Sequence, residues 1–337
     1  MILKINNKKF DFFNKVNINM KYDAISSTFG FKALFDSQDE AHKSLFRPLR
    51  FSKVEIEHDG ELLITGRKLS TSFMSTAAPK TATISGYSLT GVLEDCTVPL
   101  SSYPLQADGL SLKQIAEQAL APFDIAVVVD AAVQSKADEV FVSSDAKASG
   151  SVKDYLNKLA SQKGIILTHT RRGALLLTEV KANRLPVADL SDAFEKTINV
   201  NGQRLHSTVS VIKEANITGG NAGEEELDNP IIHSFRPSVT VQTSGTDNDT
   251  KNAAQIKMAA ELASIKLTVK LDSWKIGNKV AAPNIVISIQ DDDLWLYKKT
   301  NWFVESVSLT GDEKKQVATL QCVLPEVYTL QTPRNPF

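Results

Sequence analysis

The 337 residues set 38 lysines and arginines against 39 aspartates and glutamates, a formal net charge of −1. Nothing in that balance favours duplex nucleic acid, which usually calls for a basic patch or a high pI, and two cysteines exclude a disulfide-dense secreted scaffold. An apolar share of 42% suffices for a sizeable core, and the length implies two or three domains.

The N-terminal stretch MILKINNKKF lacks the continuous apolar segment of a secretory leader. No apolar run approaches the ~20 residues a spanning helix needs, so a protein made in the cytoplasm without membrane insertion is expected. Leu3 and Ile5 alternate with polar neighbours, and Asn6-Asn7 suits a turn. Val16, Ile18, Met20 and Tyr22 alternate with Asn17, Asn19 and Lys21, the period of two expected of a half-buried strand. Val54 and Ile56 form another alternating strand. Asp59-Gly60 then supplies a hairpin turn, because both residues tolerate positive φ, and Leu62 to Thr65 returns as its partner.

The segment from Thr81 to Phe123 predicts a strand, a glycine-punctuated turn, and a loop into a helix. Ser111 with Gln114 is a capping-box pair, and Leu112, Ile115, Ala116, Ala119 and Leu120 follow at helical spacing until Pro122. Ile125 to Val129 reads as a strand. Ser151 and Asp154 cap a second helix with Val152, Tyr155, Leu156 and Leu159 on one face and Gly164 at its end. Ile165 to Thr168 and Ala174 to Thr178 form a hairpin around Arg171, Arg172 and Gly173.

Strands return in the last third. Thr208 to Ile212 is one, and Asn216 to Asp228 and Thr240 to Asp249 read as polar loops. Thr250 to Ala263 reads as a helix with Ala253, Ile256, Ala260 and Ala263 on one side. Leu267, Val269 and Leu271, then Ile285, Ile287 and Ile289, alternate with other residues, and Val317 to Val323 closes the chain. VEIEHDGELLITG near the start and IVISIQDDDLWLY near the end share a form: strand, acidic turn, strand. Each is followed by a further strand, KTATISG and QVATLQC. The pattern implies a structural duplication.

Catalytic signatures are missing from this sequence. His42, His58, His169, His206 and His233 show no zinc spacing, and no nucleophile elbow, P-loop or dinucleotide fingerprint occurs. Cys96 and Cys322 read as buried reduced thiols. Asp291 to Asp293 lacks the ligand spacing of a calcium loop and reads as a solvated hairpin tip. Glu224 to Glu226 reads as part of a loop or subunit contact. Trp295 and Trp302 are expected in the core, although Trp274, Trp295 and Trp302 could instead stack on sugar rings. Arg171 and Arg172 could bind phosphate, but a charged hairpin tip accounts for them. No catalytic, cofactor or metal residue is assigned.

Three segments carry a resemblance. Phe46-Arg47-Pro48 precedes the hairpin that ends at Gly66; TATISGYSLTGVLEDCTVP runs from Thr81 to Pro99; and a C-terminal region combines an Ala-rich helix from Asn252, the strand LTVKLDSW, and LPEVYT. In this order they resemble the baseplate hub proteins of contractile-tailed phages, the Mu-like tail hub and late control D family. Gly86-Tyr87 departs from it, standing where a polar residue is expected after the glycine, and Asn284 to Asp293 lacks an expected proline.

The resemblance implies a mainly β fold with an α+β insertion: a β-barrel module over 1–100, a small α/β domain over 101–182, and a second β-barrel module over 183–337 with a helix near 250–264. It implies a structural, non-enzymatic hub without cofactors. Such a hub is a homotrimer in the virion, assembled in the host cytoplasm, adapting a sixfold tail tube to a threefold central spike. Its partners would be itself, the tube, the spike, and other baseplate and tape-measure proteins, with DNA passing through its channel unread. Alternatives are the hub of another contractile injection system or a carbohydrate-binding or carbohydrate-cleaving β protein.

Overall fold

A computed structural model of the chain describes residues 1–10, 13–76, 80–102, 108–142, 150–213, 224–242, 250–312 and 315–337. It is mainly β, with large antiparallel sheets. The chain divides into two compact units: Met1–Val180 with Val307–Ala318, and Lys181–Ser306 with Thr319–Phe337.

The first unit opens on β1 (Ile2–Ile5) and β2 (Lys8–Phe10), joined through Asn6 and Asn7 at φ 47° and 64°. Both are asparagines because few other side chains tolerate left-handed backbone. Then come β3 (Phe13–Lys21), β4 (Thr28–Leu34), α1 (Glu40–Phe46), β5 (Lys53–His58), β6 (Glu61–Met74) and β7 (Thr81–Ser88). Their order in the sheet is β3-β4-β7-β6-β5-β1-β2. Alternation sends Val16 and Ile18 of β3 into the core, and Asp59-Gly60 turns β5 into β6 with both residues at positive φ.

Helix α1 is tied down at both ends. Asp39 Oδ1 accepts from the backbone N–H groups of Ala41 and His42, which holds its carboxyl below the ordinary range. At the other end, buried Lys68 of β6 donates from Nζ to the carbonyls of Leu45 (3.0 Å) and Arg47 (2.7 Å), filling acceptors that a helix C-terminus leaves open.

The rest of the first unit holds α2 (Val92–Asp95), α3 (Leu112–Leu120), β8 (Val127–Val129), α4 (Gln134–Asp138), α5 (Val152–Gln162), β9 (Ile166–His169) and β10 (Leu175–Thr178). The sheet order is β8-β10-β9, with β8 parallel and β9 antiparallel to β10. Both expected capping boxes form, Ser111 with Gln114 and Ser151 with Asp154. The apolar stripe of α3 meets Leu156 and Leu159 of α5 and Leu167, Leu175 and Leu177 of the sheet in one buried cluster. Each fully buried leucine contributes about 1.5–3 kcal/mol.

The second unit comprises β11 (Glu195–Val200), β12 (Thr208–Lys213), β13 (Glu224–Asp228), β14 (Pro237–Gln242), α6 (Thr250–Leu262), β15 (Ile265–Leu271), β16 (Lys275–Ile276), β17 (Lys279–Val280), β18 (Ile285–Asp291), β19 (Leu296–Asp312), β20 (Gln316–Val323) and α7 (Glu326–Thr329); Val307–Ala318, the tip of the β19 and β20 pair, is counted with the first unit. Three expectations need correction. Residues 224–228 and 237–242 are strands flanking β12, β13 antiparallel and β14 parallel to it; pairing with an apolar central strand overrides their polar composition. The remaining loop positions, 216–223 and 243–249, lie outside the described residues. Helix α6 buries Ala254, Met258, Ala259 and Leu262, while Ile256 is 52% exposed, so its inner face is not the predicted one. Alanines around the whole circumference left that face undetermined by periodicity.

The two β regions share one plan. In the first, β3-β4-β7-β6-β5 are consecutive neighbours; in the second, β11-β15-β20-β19-β18 are. Numbered by appearance within each set, both orders read first, second, fifth, fourth, third. The sequence echo falls on equivalent elements, β5 to β7 and β18 to β20. Additions sit at different points: β12 to β14 and α6 lie between the first two strands of the later set, whereas β4 follows β3 directly. The pairing paths are open rather than ringed among the described residues.

Candidate assembly site

The motif from Thr81 to Pro99 packs through its own Gly86 and Gly91 and through Gly66 of the neighbouring β6. A β-carbon on Gly86 would lie 2.0 Å from Arg67 O and 2.6 Å from Phe29 Cζ. One on Gly66 would lie 2.1 Å from Tyr87 O and 2.9 Å from Phe29 Cε1. The ring of Phe29 on β4 therefore lies across two bare backbone positions on β6 and β7, which a side chain at either would displace. Gly91 makes the same room for the ring of Tyr87, whose Cγ would be 2.2 Å from an added β-carbon. The tyrosine hydroxyl donates to Asp95 Oδ2 at 2.7 Å, and burial followed by this bond pushes its pKa up. The apparent departure at Gly86-Tyr87 is thus a packing device: an aromatic body over a glycine with its polar end satisfied.

Beside it runs a buried hydroxyl chain. Ser27 N–H donates to Ser88 Oγ (3.2 Å), Ser88 and Thr90 hydroxyls are 3.1 Å apart, and Thr90 Oγ1 donates to Ile25 O at 2.6 Å. His169, at the end of β9, joins the chain through Nε2, 2.7 Å from Ser27 Oγ, and its Nδ1 lies 3.0 Å from Thr170 O. A carbonyl only accepts, so Nδ1 carries the proton and Nε2 accepts from the serine. Burial lowers the His169 pKa below its ordinary 6.5. The pair has the outline of a nucleophile and base, yet Ser27 is buried and the bond ties the residue just before β4 to the end of β9. Arg171 ion-pairs with Glu61 of β6 and also reaches Leu62 O at 3.5 Å, so it anchors the α/β layer to the sheet within this unit rather than presenting a phosphate site. Spacing could not reveal that residues 110 positions apart would meet.

The other sequence candidates are dispersed. His206 pairs with Glu261 at 2.9 Å, His58 lies 3.6 Å from Asp59, His42 Nδ1 accepts from Asp36 N–H, and His233 is exposed. Among the described residues no group of three or more His, Cys, Asp and Glu could hold a metal. The aspartate run splits: Asp291 pairs with Lys196 at 2.9 Å, which lowers its pKa, while Asp292 and Asp293 are exposed. Asp189, bonded to Lys299 and then Ser191, has its pKa lowered to about 2. Glu226 of β13 accepts from Ser210 of β12. Trp274 and Trp302 are buried, but Trp295 is 66% exposed, contrary to expectation, because it ends the turn after β18 at φ 62°. Both cysteines are free; Cys322 is buried, with its thiol pKa pushed up by desolvation, and Cys96 is only half-buried.

The described residues thus combine a repeated β plan with an α/β insert packed through glycines and a buried histidine. Residues 90–179 match the family model of the baseplate hub protein gp44-like second domain. No curated protein matches the chain in sequence. Among solved structures it is similar to the 43 kDa tail protein of prophage MuSo2 from Shewanella oneidensis (20% identity, TM-score 0.78, covering 97% of this chain and 98% of that one). It is also similar to the tail protein from Neisseria meningitidis MC58 (18%, 0.75, 98% of each). An E. coli component of the type VI secretion system shares the fold at 10% identity and TM-score 0.57, over 99% of this chain and 80% of that one. No helix among the described residues is long and apolar enough to cross a membrane.

Proposed function

We propose that this protein is the baseplate hub of a contractile phage or prophage tail, a homotrimer that adapts the sixfold tail tube to the threefold central spike. The observation that carries this is the repeated strand order. Three copies of a chain with one docking module can match only three equivalents; three copies of a chain with two like modules can match six. Each β set would curl into a barrel-like module, over 1–100 and 183–337, with the α/β domain of 101–182 between them in sequence. The role is mechanical rather than enzymatic. Its partners are its own copies, the tube, the spike, and other baseplate and tape-measure proteins, and DNA crosses its channel without base-specific contacts.

The test is mass photometry with negative-stain imaging of the purified full chain. A trimer whose end-on view has six similar lobes is expected. A monomer at micromolar concentration, or a trimer with three unlike arms, overturns the reading.

A further inference from the structure

A groove beside α1 is built like a binding site, and nothing in the proposed hub role uses it. Its cavity measures about 510 Å³, inside the range of roughly 300–1,000 Å³ usual for ligand sites. The apolar wall is Phe35, Phe46 and Phe73. Phe35 lies 5.7 Å from Phe46 edge-on and 4.8 Å from Phe73, ring centre to ring centre. Phe46 is buried and anchors the set, whereas Phe73 stays 43% exposed.

The rim is cationic: Lys43, Arg47 and Arg50. Among the described lining residues Glu40 is the one acid, and it is taken by Lys43 at 2.6 Å. Neither arginine side chain forms an ion pair with a described residue. Lys68 adds a further positive charge behind the rim and fixes the carbonyls of Leu45 and Arg47.

The backbone of the rim is held in an unfavourable shape. Leu49 and Phe51, on either side of Arg50, have φ 58° and 45°. For a residue with a β-carbon this region costs roughly 1–2 kcal/mol, and such outliers gather at binding and switch sites. Exposed apolar side chains continue along the rim segment on either side of Arg50: Leu49 is 80% and Phe51 50% exposed.

We infer that this groove docks an acidic peptide segment of another protein, with an aromatic or large aliphatic residue seated on Phe35 and Phe73 and its carboxylates on Arg47 and Arg50. Guanidinium forks match carboxylates in geometry, and aromatic anchors ringed by polar contacts are the usual energetic centre of an interface. The apolar surface running beyond the cavity favours a chain over a small anion. The inference stands apart from the trimer proposal and can fail or hold without it.

The experiment uses the full chain and a fluorescein-labelled pentapeptide of one phenylalanine with two aspartates on each side. Controls replace the phenylalanine by alanine or the aspartates by lysines. Saturable anisotropy is expected for the first peptide alone, weakened about tenfold or more by Arg47→Gln with Arg50→Gln. Both sites are exposed, so unchanged thermal melting of that variant confirms folding; Phe73→Ser is the second, independent variant and should weaken binding similarly. The inference is overturned by no saturable binding, by equal binding of the lysine peptide, by indifference to both variants, or by phenylalanine-independent binding that inorganic phosphate displaces. Loss of self-association in the arginine variant also overturns it, since the occupant is then a second copy.

Discussion

Phe29 Cζ lies 2.6 Å from the place a β-carbon on Gly86 would occupy, so the ring of one strand rests against the bare backbone of the next. A strand glycine is ordinarily a cost, and replacing it by alanine ordinarily helps. Here the sign reverses. Gly86→Ala must also displace Arg67 O, 2.0 Å away, and should destabilise by about 1–3 kcal/mol. Chemical denaturation of wild type and variant measures it; an unchanged or raised midpoint would show that this close approach is not kept in solution.

Lys68→Ala should be among the costliest single changes in the first β set. It leaves the carbonyls of Leu45 and Arg47 without their donor and empties the space of a stem that is only 1% exposed. Together these losses come to about 2–5 kcal/mol. Lys68→Met keeps the stem and isolates the ammonium. Burial lowers the Lys68 pKa from 10.5, so between the folded value and 10.5 the unfolded chain binds more protons. Stability of wild type relative to Lys68→Met should therefore increase as pH rises through that window. A constant difference across alkaline pH would contradict the assignment.

His169 sets an acid response of its own. Its folded pKa lies below 6.5 because the ring is buried as a neutral tautomer. As pH falls from 6.5 toward the folded value, the unfolded chain gains a proton that the folded chain refuses, so stability declines through that window and levels off beneath it. His169→Gln, which cannot titrate, should flatten this decline in a series of thermal melts at successive pH. Parallel curves for the two proteins would rule out this histidine as the source.

Two tryptophans should respond oppositely. Trp302 is buried in β19, and Trp302→Ala should cost about 3–5 kcal/mol. Trp295 is exposed at φ 62°, and Trp295→Gly should be neutral or slightly stabilising, because glycine adopts that backbone without strain. Intrinsic fluorescence offers the second check: Trp295→Gly should remove the red-shifted, quencher-accessible part of the emission. Equal destabilisation by both changes would mean that Trp295 is packed.

Much of the local structure was legible in the residues. The capping pairs Ser111 with Gln114 and Ser151 with Asp154 each lie within one helical turn, and both form. Asp59-Gly60 turns its hairpin as its chemistry requires. The echo between the β5–β6 and β18–β19 segments pointed to a repeated plan, and the strand orders repeat. Where reading failed, the information was not local. Glu224–Asp228 is a strand because β12 accepts it as a neighbour. The inner face of α6 depends on what it packs against, since an alanine-rich helix offers several apolar faces.

The sequence by itself determined the two capped helices, the Asp59-Gly60 hairpin and the echo between the β5–β6 and β18–β19 segments, because periodicity and capping act within a few residues along the chain. Only the tertiary structure decided that Phe29 seats on Gly66 and Gly86, that Arg171 reaches Glu61, that Trp295 faces solvent, and that Arg47 and Arg50 rim an aromatic groove. Such contacts join positions tens of residues apart. Their energies depend on which surfaces the strand order brings together, and no short window of residues records that order.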